Sequence, residues 1–203
     1  MNYYNPLTQE RISHKQLCDK FNASIPSSLV EYNGWFKLAY GERPKAESYQ
    51  TVKQNTDPEL IAGVWTITYS LEEISIETIR NKKLNELKNK FSQMNNSATV
   101  ASSLGFVIDA NETANRNIQG LITTLEATGV ESTQFCDHDN HFHVVTLADL
   151  KVMQLEVIQN GQSLYQQKWA YREAINAMTD VVELASYEIE FTNLSFLEAE
   201  TTE

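Results

Sequence analysis

The 203-residue chain has only two cysteines, Cys18 and Cys136, too few for a disulfide framework, and synthesis in a reducing cytoplasm is expected. Glycine and proline are sparse, at 7 and 4 residues, and no repeat or low-complexity tract is present. No run approaches the ~20 apolar residues of a membrane span, so no membrane insertion is expected. The opening MNYYNPLTQER has no apolar stretch behind a basic start, and no leader is expected. Catalytic motifs are missing too: no GxGxxG, P-loop, HExxH or GxSxG occurs. Glu72, Glu73 and Glu77 cluster at helical spacing and are expected on a solvated face. No general acid or base stands out, no cofactor is called for, and the chain is expected not to be an enzyme.

Basic residues are scarce in one half. Residues 1–92 hold 12 Lys/Arg against 11 Asp/Glu, net +1, whereas residues 93–203 hold 4 against 16, net −12. Such an acidic half repels phosphate backbones, so no nucleic-acid partner is expected there. Solubility explains this charge more simply than a basic partner surface does.

What is present concentrates in Phe135–Ala177. Gln134–Asp137 and His141–Thr146 are β-prone runs, and Asp139-Asn140 suits a two-residue loop between them. That loop would set Cys136 opposite His143 and Phe135 opposite Val144. Alternation along the strands then puts Cys136, His138, His141 and His143 on one face, and Phe135, Phe142 and Val144 on the other. A thiolate with imidazoles is a zinc-type donor set. The simpler expectation is that the phenylalanine face packs inward and the imidazoles meet water, so no metal is expected.

A long helix follows. Thr146-Leu147-Ala148-Asp149 has capping-box form. Leu147, Leu150, Leu155, Ile158, Leu164, Tyr165, Trp169, Ile175 and Met178 recur near helical spacing for about eight turns. Tyr165, Trp169 and Tyr171 are expected to be core. Gly161 interrupts the run and marks a kink or a close contact.

Three blocks here, Phe135-Cys136-Asp137-His138-Asp139-Asn140, Val145-Thr146-Leu147-Ala148-Asp149-Leu150 and Leu164-Tyr165 through Lys168-Trp169-Ala170 to Ala174-Ile175-Asn176-Ala177, form one series. Upstream stand Ser103–Ala110 and Asn117–Ile122. Together they resemble a domain of unknown function found at the C-terminus of bacteriophage tail proteins, over roughly Lys83–Ile189. The resemblance includes no catalytic motif and requires no histidine in the turn. Gln162 stands where relatives often carry a histidine, which argues against a shared catalytic imidazole.

The remaining elements follow from local signals. Ser13–Asn22 reads as a short capped helix, and 34–40, 49–54 and 64–69 as strands with Trp35, Leu38 and Trp65 on the buried side. Tyr4-Asn5-Pro6, Asn22–Pro26 and Gly34–Leu38 resemble N-terminal modules of phage tail fibre and fibre-assembly proteins. A connecting helix starts near Ser70 or Ser75. Its Leu84, Leu87, Phe91 and Met94 have the 3-4-3 spacing of a coiled-coil seam, although packing on a neighbouring helix would explain them equally. FSQMNNS at 91–97 reads as a linker. Thr99–Ser102 and Phe106–Asp109 form a hairpin. Asp109–Glu112 is a capping box for a helix with Ala114, Ile118, Leu121, Ile122 and Leu125 on one face, ended by Gly129. Tyr187–Thr192 reads as a strand, and Leu197–Glu203 as a frayed acidic tail.

The expected fold class is α+β: a small β-rich module over 1–70, a connecting helix and linker over 71–96, and a domain of short hairpins and long amphipathic helices over 97–203. The resemblance implies a structural part of a phage tail (fibre, baseplate or adaptor), made in the host bacterial cytoplasm and carried in the virion. Its partners would be other tail proteins, and its assembly a homotrimer. A fibre-assembly chaperone is the alternative, and a metal-binding module on the Cys136/His138/His141/His143 face a weaker one.

Overall fold

The computed structural model of the protein describes residues 1–197. The fold is α+β, in two compact units divided between Ser75 and Ile76.

The first unit carries β1 (Asn2–Asn5), β2 (Glu10–Ser13), α1 (His14–Phe21), β3 (Glu31–Tyr32), β4 (Trp35–Lys37), β5 (Ala39–Tyr40), β6 (Gln50–Gln54), β7 (Glu59–Ile61), β8 (Val64–Ile67) and β9 (Tyr69–Glu73). They form three small sheets, ordered β2-β1-β4-β3, β5-β8-β7 and β6-β9. The expected strands are present, but five others were not foreseen. Turn chemistry explains several of them. The Asn5 carboxamide accepts from the backbone N–H of Leu7 (2.9 Å) and Thr8 (3.2 Å), closing the β1–β2 turn. Asn33-Gly34 and Ala62-Gly63 both have positive φ at both residues and join β3–β4 and β7–β8 as two-residue hairpins. Ser13 caps α1 in a full capping box with Gln16, and Asn22 ends the helix in the left-handed region. Tyr3, Leu17, Ile25 and Trp35 make one small core, and Tyr4, Leu38 and Ile67, with Trp65 against them, make another. Glu72 and Glu73 lie on β9 rather than on a helix, and Glu72 pairs with Lys53 at 2.6 Å.

The second unit runs α2 (Ile76–Asn96), β10 (Thr99–Ala101), β11 (Val107–Asp109), α3 (Glu112–Thr128), β12 (Ser132–Cys136), β13 (Phe142–Thr146), α4 (Leu147–Ala177) and α5 (Val181–Ser186). Ser70 falls inside β9, so α2 starts after Ser75. Residues 91–96 are helical, not a linker. Asn95 and Asn96 are weak helix formers, but Phe91 is buried and Met94 packs on the same core, and that packing outweighs propensity.

The expected seam on α2 is likewise turned inward. Leu87 is 2 % and Phe91 8 % exposed, and Phe91 meets Tyr165 and Phe191 at ring distances of 4.9 and 5.7 Å. The alternative, packing within one chain, accounts for Leu87, Phe91 and Met94, while Leu84 is half-buried. Val100, Ile108, Ile118, Ile122, Leu125, Leu150, Met153, Val157 and Leu164 complete that core.

Residues 187–194 form no strand. They are extended and lie along α2 and α4, whose side chains replace a partner strand. Lys83 and Lys90 donate to the carbonyls of Tyr187 (2.8 Å) and Ile189 (2.9 Å). The Tyr171 hydroxyl bonds both backbone groups of Glu190, and the Gln167 amide both backbone groups of Thr192. Buried Asn160 accepts from Leu194 N–H at 2.7 Å. Backbone groups withdrawn from water need hydrogen-bond partners, and here helix side chains supply them. Burial raises the carboxyl of Glu86, but hydrogen bonds and attraction from Lys83 and Lys90 outweigh it, leaving a net lowering. The expected acidic tail lies, apart from Leu197, outside the described residues.

Candidate functional site

The histidine-rich hairpin was the sequence's candidate site, and its register decides what the site is. β12 and β13 pair Cys136 with Phe142, Phe135 with His143 and Gln134 with Val144, one residue away from the expected register. The two-residue Asp139-Asn140 loop does not form. Asp137 is drawn into a wider turn instead: its carboxylate accepts from His141 N–H at 2.8 Å, its own N–H donates to His141 C=O at 2.9 Å, and Asn140 has φ 65°. A slip of one residue exchanges the two faces of one strand relative to the other. Cys136, Phe142 and Val144 therefore share the outer face, with Phe142 72 % and Val144 74 % exposed. Phe135, His143 and Val145 point inward. Expecting Phe142 and Val144 in the core was wrong, and so was expecting Cys136 beside His143.

Two of the hairpin's three imidazoles have a local role, while the His141 ring is exposed with its Nδ1 3.6 Å from Asp137. The His143 ring stacks on Phe106, with centroids 4.0 Å apart and planes 12° from parallel, and its Nε2–H donates to Asp137 at 2.8 Å. His138 Nδ1–H donates to Asp109 at 2.6 Å, and its backbone N–H to Val107 C=O at 2.9 Å, tying this turn to β11. The hydrogen bond it donates to Asp109 pushes the His138 pKa up. The hydrogen bond from His143 is the main cause that holds the nearly buried Asp137 carboxyl below its ordinary value, helped by the His141 N–H and opposed by burial. Because Asp109 is engaged with His138, it does not cap α3. Asn111 does, accepting from Ala114 N–H at 3.0 Å, and Gly129 ends the helix with φ 68°. Among the described residues, no group of three or more His, Cys, Asp and Glu is arranged to hold a metal.

Asp137, the centre of this turn, was missed in the sequence; an Asp at the close of a strand, with Asp139-Asn140 behind it, was the available signal. Glu156 was missed as well. It is 4 % exposed on α4, and one oxygen accepts from Ser103 N–H (3.0 Å) and Ser103 O–H (2.6 Å), holding the β10–β11 turn to the helix. Its Oε2 is buried without a hydrogen bond.

The second surface lies on α4. Thr146 and Asp149 form the expected capping box, and the helix continues through Gly161, where a side-chain carbon would meet open space. Leu150, Met153, Val157, Leu164 and Ile175 are buried. Tyr165 and Trp169, expected in the core, are 45 and 50 % exposed, and Tyr171 is half-buried; Leu155 and Ile158 on the same face are 55 and 41 % exposed. Tyr165, Gln162, Gln166 and Trp169 line a shallow pocket there.

Two β-hairpins, β10–β11 and β12–β13, with the helices α2 to α5, outward apolar side chains and internally paired polar ones, define a helix-and-hairpin domain. The chain belongs to the family described as Domain of unknown function (DUF4376), whose model matches residues 78–192. No curated protein and no solved structure matches the chain.

Proposed function

We propose that the protein is a structural component of a bacteriophage tail, attaching other tail proteins to one another and catalysing nothing. The observation that carries this is the inversion of the candidate site. Its carboxylates are occupied, Asp137 by His141 and His143 and Asp109 by His138, while Phe142 and Val144 of the same hairpin stand in solvent. An exposed apolar patch beside neutralised polar groups suits protein attachment better than turnover of a small molecule. The resemblance of the 135–177 blocks to phage tail proteins supplies the setting.

Mass spectrometry of gradient-purified particles is the test. A fixed copy number of this chain supports the structural role. Its presence only in infected-cell lysate, bound to immature fibres, would replace that role with an assembly chaperone.

A further inference from the structure

We infer that the solvent face of α4 is a self-association surface on which a second copy of the chain docks antiparallel, about a twofold axis near Gln162. This does not depend on a phage tail being the setting.

Leu155, Ile158, Gln162, Tyr165 and Trp169 are spaced 3-4-3-4 along α4, the spacing of a coiled-coil seam. Leu150, Met153, Val157 and Leu164 on the other sides of this helix face the core, and of the row Tyr165 also touches it, through the Phe91 ring at 4.9 Å. Tyr165 and Trp169 are about half exposed. With aromatic side chains of roughly 150–250 Å² each, they leave about 100 Å² apiece in water. Leu155, Ile158 and neighbouring Val152, 39 % exposed, bring the apolar patch to roughly 400 Å² per copy. That is about half of the ~800 Å² per partner in a standard interface. Gln154, Gln159 and Gln166 flank the row and would form the polar rim such an apolar centre needs.

Charge points to a copy of the same chain. The protein carries −11 overall, yet between Asp149 and Glu173 the only acid is Glu156, which is buried. Lys151 pairs with Glu126 at 2.7 Å, and the Lys168 ammonium lies 4.0 Å from the centre of the Phe91 ring. Arg172 is the one other cation there and is exposed, so the row shows no exposed carboxylate on an acidic protein, and two copies can approach without carboxylates facing each other.

Size and symmetry choose the orientation. Leu155 and Ile158 form a smaller half, and Tyr165 and Trp169 a bulkier one, with Gln162 between. Antiparallel docking sets small against large, which interdigitates better than ring on ring. Gln162 then meets its own copy, and two amides related by a twofold can each donate and accept. A polar residue at a single seam position fixes register at some cost in affinity.

The experiment is sedimentation equilibrium of the full chain in reducing buffer, over a wide concentration range. The 23.1 kDa chain is expected to approach twice its mass as concentration rises. Leu155→Glu and Trp169→Glu, both at exposed positions, should stay monomeric with unchanged circular dichroism. Gln162→Leu should tighten association about tenfold or more, because it removes the polar layer. A monomer at every concentration overturns the inference, as does a dimer indifferent to these substitutions. A threefold mass overturns the twofold arrangement.

Discussion

Replacing Asn160 with Ala tests whether helix side chains hold the 187–194 segment in place. Asn160 is fully buried; its Oδ1 accepts from Leu194 N–H at 2.7 Å, and its Nδ2 donates to Asn193 Oδ1 at 3.0 Å. Truncation leaves the Leu194 N–H unsatisfied in a part-buried site, at about 1–3 kcal/mol, and loses a side-chain bond worth about 0.5–1.5 kcal/mol. Alanine is the better helix former and returns about 0.5 kcal/mol. The net loss is about 2–3 kcal/mol, or roughly 5–10 °C in the melting of this unit. Gln167→Ala removes two bonds to Thr192 and one to Ser163, but at a site water reaches, and should cost no more than about 1.5 kcal/mol. Thermal melts give the ranking, and amide exchange gives the location: Leu194 should exchange faster in Asn160→Ala, while the α4 amides keep their protection. An unchanged melting temperature with Leu194 still protected would refute the account.

Two further outcomes can be checked. His138 has a raised pKa because Asp109 favours its charged form; that stabilisation is full below the ordinary imidazole value of 6.5 and is lost as pH rises through the raised one. In Asp109→Asn, an NMR titration should show the His138 pKa returning toward 6.5, and a pKa that does not move would remove Asp109 as the cause. Thr146→Ala breaks the α4 capping box by removing the hydroxyl that accepts from Asp149 N–H at 3.2 Å, and should cost about 0.5–2 kcal/mol in chemical denaturation.

The legible parts of the fold are those decided within a few residues. Ser13 with Gln16, Thr146 with Asp149, and Gly129 mark helix ends because capping bonds span only three or four residues. The β10–β11 hairpin and the length of α4 follow from the same short range. Asn33-Gly34 carried a hairpin signal just as local, and it places β3.

Sequence by itself therefore determined the α+β class, both ends of α1, the start of α4, the end of α3 and the presence of a histidine-rich hairpin. Tertiary structure decided which way each element faces. The β12–β13 register turned on whether the Asp137 carboxylate would gather His141 and His143, an energy term a β-pattern does not contain. Asp109 had a cap to make within three residues and a histidine to meet from a distant hairpin, and the distant partner won. Along α4, apolar residues recur on both sides, so periodicity alone does not say which side is core. That was settled by where α2 and α3 pack, leaving Leu155, Ile158, Tyr165 and Trp169 in water.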